Sequence, residues 1–298
     1  MQLLSLIGEQ PIPNLLVARA LNPGREALCC TTTTEYVVHN LAALLPNSEI
    51  CLIDPYDLTL AQEQIDTLCS PDTVINLTGG TKPMALAAYE VARARNLAFV
   101  YLVSEGQNNI LYRYEFRNGS SGLVNRQSLG GLIDIDDYLQ AHGLTPKAEK
   151  GPQNAQEAGL RRWLEKQVDE CRSNLVFDAF EIDFILRRGN RVALIEAKMS
   201  DHQRRKGIDQ LNTAGGRAYL GTYTGKIYAV HKPLGPQLSR LAAARNIRVV
   251  SVTGPKDHRT GRLLLSQHSQ TALSSALDKI LGPTSAIRNQ KSNLRNPL

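Results

Sequence analysis

The chain is poor in the features that build disulfide frameworks and zinc sites. Its five cysteines (Cys29, Cys30, Cys51, Cys69 and Cys171) are odd in number and include no Cys-x-x-Cys pair, and its six histidines show neither a His-x-His pair nor metal-ligand spacing. Covalent cross-links and a Cys/His metal centre therefore drop out as organising features. Four of the cysteines fall in or beside apolar stretches and read as small core residues. Residues Met1 to Gln10 lack the basic start and cleavage site of a secretory leader, and no apolar run approaches a bilayer span. The expectation is a cytoplasmic protein without a membrane partner. No repeat or low-complexity segment is present, the four threonines Thr31 to Thr34 being too few to count as one. What is there is ordinary globular material: 42% hydrophobic and 21% charged over 298 residues, enough for two domains with real cores.

The formal charge of +6 conceals an asymmetry. Residues 1–145 hold eight Lys/Arg and fifteen Asp/Glu, a net of −7, whereas residues 146–298 hold twenty-six and thirteen, a net of +13. A polyanion-binding surface needs such an excess, so charge points to a nucleic-acid partner for the second half only.

Short apolar runs alternate with helical patterns through the first 116 residues. Leu3 to Ile7, Ala27 to Cys30, Ile50 to Ile53, Val74 to Leu77 and Ala98 to Val103 read as buried strands, with Ile110 to Phe116 as one more. Asn14 to Leu21, Glu35 to Leu44, Asp57 to Leu68 and Pro83 to Ala94 read as the helices between them. This order implies a Rossmann-like, mainly parallel sheet with helices on both faces. Residues 1–142 are expected to form this domain and 143–155, polar and broken by Gly and Pro, a linker. A small α/β domain is expected over 156–283 and a basic flexible tail over 284–298. The second domain opens on a helix, Ala155 to Cys171, with Leu160, Trp163, Leu164 and Val168 on one face. Two strands joined by a turn follow, then a helix around Gly207 to Ala214 and a strand from Lys226 to Val230.

The two strands carry the chemistry. If Phe180 to Leu186 and Val192 to Lys198 pair across the turn Arg188 to Arg191, Arg187 faces Val192 and Asp183 lies opposite Glu196. Opposed residues share a face of the sheet, and Lys198, two residues from Glu196, shares it too. The carboxylates of Asp183 and Glu196, with the carbonyl of Ala197, are hard oxygen ligands suited to Mg²⁺ or Mn²⁺. Lys198 is placed to orient an attacking water and to offset charge developing on a phosphorane, and Glu165 on the preceding helix is a further ligand or orienter. A Glu-x-Lys triplet alone also fits an exposed ion-pair ladder. Here its flanks are apolar, which puts the charges at the ends of buried strands.

These residues resemble the PD-(D/E)xK nuclease superfamily, with Asp183 as the first acid and Glu196-Ala197-Lys198 as the ExK element. The resemblance implies a restriction-endonuclease-like α/β fold for the second domain and gives Gln210, on the helix that follows, a contact to phosphate or to the metal's water. In the first half, Ser5 to Asn14 and Asn76 to Met84 resemble the ligand loops of CARF domains, the Rossmann-fold sensors of CRISPR systems. CARF followed by this nuclease type is similar to the ancillary nucleases of type III CRISPR defence. That similarity implies a homodimer activated by cyclic tetra-adenylate, with single-stranded DNA or RNA, or duplex DNA, as substrate.

The sensor reading also stands on the residues. Thr78-Gly79-Gly80-Thr81-Lys82 joins a strand to a helix whose first position suits Pro83, so free backbone N–H groups and the helix dipole face the loop. Glycines let phosphate or ribose approach the backbone, threonines donate hydroxyls, and Lys82 adds charge. The loop containing Gly8, Glu9, Gln10, Pro11 and Asn14, and that containing Thr31 and Thr32, leave the carboxyl ends of neighbouring strands, where open α/β sheets bind ligands. Neither a dinucleotide fingerprint nor a P-loop occurs at this turn. Two other readings remain at this level: a non-catalytic nucleotide-sensing regulator that binds nucleic acid, and an ungated repair or restriction nuclease.

Overall fold

The computed structural model describes residues 1–105, 108–198 and 204–283; the expected tail, 284–298, lies outside them. The chain divides into two compact units, Met1–Leu132 with Gln140–Gly143, and Ile133–Leu139 with Leu144 onward. Among the described residues no helix is long and apolar enough to cross a membrane.

The first unit runs β1 (Gln2–Leu6), α1 (Pro11–Leu21), β2 (Arg25–Cys30), α2 (Glu35–Leu44), β3 (Ser48–Leu52), α3 (Leu58–Leu68), β4 (Thr73–Asn76), α4 (Lys82–Arg95), β5 (Phe99–Glu105), β6 (Asn108–Arg117) and β7 (Ser120–Leu129). Its sheet has the order β3-β2-β1-β4-β5-β6-β7, parallel through β5 and antiparallel beyond. Every residue of β1 is buried, as a strand covered on both faces must be. Leu4, Leu6, Ala27, Cys29 and Ile75 form one core with Ala61 and Ile65 of α3 and Met84, Ala88 and Val91 of α4, while α1 and α2 pack together over β1 and β2. β7 is a strand that apolar patterning does not announce, since nine of its ten residues are exposed. Its signal is Asn118-Gly119, both at positive φ (51° and 78°), the two-residue turn that closes a hairpin.

The second unit begins with part of α5 (Ile135–Ala141), then β8 (Ala148–Glu149), α6 (Ala155–Leu164), β9 (Glu170–Val176), β10 (Glu181–Arg188), β11 (Arg191–Lys198), α7 (Arg204–Ala214), β12 (Gly225–Val230), α8 (Pro236–Ala244), β13 (Arg248–Ser251) and α9 (Gln267–Leu281). Its sheet has the order β13-β12-β11-β10-β9-β8, antiparallel from β8 to β11 and parallel from β11 to β13. One face, with Phe184, Leu186, Ala193, Ile195 and Ile227, packs against Leu160 and Leu164 of α6 and Leu273, Leu277 and Leu281 of α9. Helix α7 packs on β11 and β12, and a methyl on Gly207 would stand 2.7 Å from the ring of Tyr228.

Three expectations change. The helix expected to reach Cys171 stops at Leu164, because Glu170 to Val176 pair with β10 as a strand; Val168 still packs against the core, from a loop, so its spacing mimicked a helical stripe. The stretch read as a bare linker supplies β8, which pairs with Val176 and Leu175 of β9. Too short and polar to show periodicity, it is held by backbone bonds, Lys147 N–H to the Val176 carbonyl at 2.8 Å among them. The residues before 142 are divided too. Tyr138, 2% exposed, donates to the Leu220 carbonyl at 3.1 Å and lies 2.8 Å from the Thr224 hydroxyl, which ties Ile133–Leu139 to the second unit.

Glu26 in β2 is 2% exposed and accepts a hydrogen bond from the Ser5 hydroxyl at 2.7 Å. Burial pushes its carboxyl up to about 7, the Ser5 bond opposing part of the rise. A carboxyl raised in the fold keeps its proton where the unfolded chain has lost it, so its contribution is fully present below about pH 4.5 and is lost as pH rises through about 7. Glu26→Gln should therefore gain about 1–3 kcal/mol over the wild type at pH 8 relative to pH 4.5, by urea unfolding. An equal difference at both pH values would show that Glu26 does not titrate in this way.

Candidate functional site

The β10–β11 hairpin turns at Gly189-Asn190, with Gly189 at φ 61°. Its ladder pairs Arg188 with Arg191, Arg187 with Val192, and so on to Phe184 with Ile195. One step further along that register stand Asp183 and Glu196, and there the regular pairing gives way. Asp183 turns its carboxylate onto the strand opposite, where Oδ2 accepts the backbone N–H of Ala197 at 2.7 Å. The Nζ of Lys198 lies 2.6 Å from Oε1 of Glu196, which is buried, so the ammonium is the partner of that oxygen inside the fold.

Electrostatics mark the edge as overcrowded with acid. Burial pushes Asp183 up; the Ala197 N–H and Lys198 pull it back, and Glu157 and Glu181 add to the rise. Glu196 is raised by burial and then by Asp183, against the pull of Lys198. For Lys198 burial works downward, but Glu196 and Asp183 override it and hold the ammonium above its ordinary value. Two carboxylates, both raised by burial, and a neighbouring carbonyl form a set that a divalent cation could join. Among the described residues no three His, Cys, Asp or Glu side chains gather closely enough to hold an ion by themselves; an ion here would take most of its ligands from water, as Mg²⁺ commonly does.

The other expected members fall differently. Gln210 lies on α7, which packs against β11, and its carbonyl Oε1 is buried without a hydrogen-bond partner. Glu165 sits at the end of α6, bound to Arg161 at 2.8 Å. The acid of α6 that raises Asp183 is Glu157, about 12 Å earlier along the helix axis. Glu157 is fixed by a helix start that the sequence does display, Asn154-x-x-Glu157: Asn154 accepts from Glu157 N–H at 2.9 Å, and Glu157 accepts from Gln153 N–H at 2.8 Å. Glu181 could have been found by alternation with Asp183.

In the first unit the strand order reverses between β1 and β4, the position at which open α/β sheets leave a crevice. Gly8 and the loop Leu77 to Thr81 meet there. A methyl on Gly79 would run into the Leu6 carbonyl and stand 2.9 Å from both Gly8 N and Asn14 Nδ2, while Gly80 takes φ 75°. Asn14 is 1% exposed. Its Oδ1 accepts from Asn76 Nδ2 at 2.9 Å, and its own Nδ2 is buried without a partner. Thr81 caps α4 by accepting from Met84 N–H at 3.3 Å, with Pro83 at the helix start and Lys82 exposed beside it.

Two hydroxyls expected to face a ligand are used inside the fold. Thr78 donates to Asn76 Oδ1 at 2.5 Å and accepts from Leu102 N–H at 2.9 Å, stitching the loop to β5. Thr31 is 4% exposed, 2.8 Å from the Thr33 hydroxyl. Thr32 and Glu9 are exposed, Gly8 and Gln10 are partly exposed, and Pro11 is buried at the start of α1.

Residues 3–138 match the family model of the Card1 CARF domain. The match covers nearly the whole first unit. Among solved structures the chain is similar to Can2 from Sulfobacillus thermosulfidooxidans in complex with cyclic tetra-adenylate, at TM-score 0.72 and 16% identity, covering 94% of this chain and 99% of that one. It is also similar to the protein VC1899 from Vibrio cholerae, at TM-score 0.65 and 11% identity over 84% and 93% of the two chains. A type III CRISPR defence DNA nuclease activated by cyclic oligoadenylate matches at TM-score 0.60 and 14% identity, over 92% of this chain and 51% of that one. At these identities the likeness is one of fold. No curated protein sequence matches the chain.

The close approach at Gly79 gives a direct check. Gly79→Ala should destabilise the first unit by about 1–3 kcal/mol, the usual cost of forcing atoms into a packed site, whereas Gly119→Ala, with open space around it, should leave the Gly8 loop unperturbed. Equal protection of the Gly8 and Gly79 amides in wild type and Gly79→Ala, by hydrogen exchange, would refute the contact.

Proposed function

We propose that the chain is a nuclease gated by a cyclic oligoadenylate, most simply cyclic tetra-adenylate, acting as a homodimer in type III CRISPR defence. The observation that carries this reading is the acidic edge: Asp183 fastened to Ala197 N–H, and Glu196 buried beside it with the Lys198 ammonium 2.6 Å from its Oε1. The CARF match over residues 3–138 supports the sensor, and the fold shared with Can2 and with the type III DNA nuclease supports the pairing of sensor and nuclease in one chain.

Asp183, Glu196 and the Ala197 carbonyl would hold Mg²⁺ or Mn²⁺, which when bound polarises a phosphate oxygen and lowers the pKa of a water. The chain's own groups do the rest. Asp183 stays aimed because Ala197 N–H fixes one oxygen, leaving the other for the ion. Lys198 is held by Glu196 in a position to orient the attacking water and to neutralise charge developing on phosphorus. Glu157 takes the place expected of Glu165 as the orienting acid, and Gln210 offers its unpaired carbonyl to water. Restriction-endonuclease-like topology for the second unit is part of this reading, supported by the αβββαβ run from α6 to β12. The basic excess of that half suits single-stranded DNA or RNA, or a nicked duplex.

In the sensor, the Gly79-Gly80 backbone, Asn14 Nδ2, Thr32, the loop Gly8 to Gln10 and Lys82 form the ligand surface, while Thr78 and Thr31 hold its shape. A cyclic tetranucleotide has two-fold symmetry, which two copies of these loops related by a dyad would match.

Labelled single-stranded DNA, single-stranded RNA and plasmid, incubated with Mn²⁺ or Mg²⁺ with and without cyclic tetra-adenylate, test the reading. Cleavage should depend on both metal and activator, fall at least about 100-fold in Glu196→Ala, and lose activation in Lys82→Ala. Cutting that is equal without activator would indicate an ungated nuclease, and binding without cutting a regulator. Mn²⁺ titration calorimetry separates the two acids of α6: Glu157→Gln should weaken binding about 10-fold, Glu165→Gln should leave it unchanged, and the reverse order would restore Glu165 to the site.

A further inference from the structure

Apart from the catalytic edge, the second unit contains a cavity of about 360 Å³ between α6 and the segment Asp257 to Leu265 that precedes α9. Its shape is set by a backbone-to-backbone crossing: a methyl on Gly159 would run into the Leu263 carbonyl and stand 2.7 Å from the Leu263 nitrogen. Gly159, Arg162 and Trp163 form one stripe of α6 at helical spacing, with Lys166 just past its end. Glu157 projects from another side of the same helix, so the cavity and the catalytic edge are separate places.

Trp163 is the chain's single tryptophan. Half-buried, it packs against the core and lines the cavity. Arg162, Lys166 and Arg262 surround it, all exposed, and none joins an ion pair within 4 Å among the described residues. The one acid in the lining, Asp257, accepts at Oδ1 from the Thr260 hydroxyl at 2.8 Å and from the N–H groups of Thr260 and Arg259 at 2.8 and 3.0 Å, bonds that, with the charge of Arg262, hold its carboxyl below the usual range. An aromatic wall in a lining with three exposed cations against one acid selects a ligand that is flat and anionic at once. An acidic peptide lacks the flat face, and a base inside a duplex is not free to offer it; an unpaired nucleotide has both.

We propose that this cavity docks one unpaired nucleotide of a single-stranded nucleic acid, its base against Trp163 and its flanking phosphates among Arg162, Lys166 and Arg262. The proposal rests on the second unit acting on nucleic acid, though not on its cutting it. The docked nucleotide would anchor a strand at a point apart from the scissile bond, so the site governs binding of single strands rather than the chemical step.

Because Trp163 is the sole tryptophan, its fluorescence in the full-length protein reports on the cavity directly. With EDTA present to prevent cleavage, an oligonucleotide of about a dozen nucleotides should quench the emission saturably, and a blunt duplex of the same sequence or the free mononucleotide should not at equal concentration. The double variant Arg162→Ala/Arg262→Ala, whose side chains are exposed, should weaken strand affinity about 10-fold or more, read by anisotropy, and raise KM for cleavage with little change in kcat. Trp163→Ala should weaken binding about 5- to 100-fold, with Trp163→Phe recovering most of it. Unchanged emission on adding a strand that anisotropy shows to be bound overturns the proposal, as does equal quenching by duplex or mononucleotide. Cleavage that proceeds with unchanged emission and unaltered KM in the double variant removes the docking site and leaves the nuclease; quenching with no cleavage under any metal keeps the docking site and removes the nuclease.

Discussion

The bond from the Ala197 N–H to the Asp183 carboxylate organises the second unit's chemistry. Antiparallel pairing brings β10 and β11 together through a short Gly189-Asn190 turn, and the apolar residues Phe184 and Ile195 anchor the pair in the core. At the next step the ladder would place two acids against each other. Replacing that pairing by a side chain to backbone bond lets Asp183 remain ionisable while half satisfied, and leaves Glu196 buried against Lys198. A polar group in that state is costly unless something completes its coordination, which is why the proposed function places a cation at this edge.

The same logic recurs in the first unit in neutral form. Asn76 donates from one amide nitrogen toward Asn14 and toward Ser5, Ser5 in turn donates to Glu26, and the row ends at an Asn14 amide nitrogen with no acceptor inside the fold. Gly79 permits this by bringing backbone against backbone, where any side chain would displace Asn14 or the Leu6 carbonyl. Two buried side-chain atoms without a partner among the described residues, Asn14 Nδ2 and Gln210 Oε1, belong to residues of the two candidate sites; another, Arg187 Nε, belongs to a guanidinium whose other nitrogens are bound to Glu170 and Gly189.

Buried parallel strands and the hairpin were legible because apolar content and register are local: counting back from a short turn fixes which residues oppose. β7, β8 and β9 were not, since an exposed polar strand, a two-residue edge and a strand following directly on a helix carry no clean period. Glu157 and Glu165 stand at opposite ends of α6, and it is the charge of Glu157, held by the Asn154 cap, that adds to the rise at Asp183. The hydroxyls of Thr31 and Thr78 illustrate a different limit. Residue type identifies a donor, but only tertiary contacts tell whether the donor is already used, as Thr78 is between Asn76 and Leu102. The boundary near 142 was displaced for a related reason, the anchoring of Tyr138 to Leu220 and Thr224 being invisible to composition.

The location of a bound ion tests the account most directly. In crystals of the full chain soaked with Mn²⁺, anomalous scattering should show a peak within about 2–2.5 Å of an Asp183 oxygen and a Glu196 oxygen, lost in Glu196→Gln. Ordered Asp183 and Glu196 side chains with no peak between them at saturating Mn²⁺, or a peak held by other residues while cleavage persists, would contradict it.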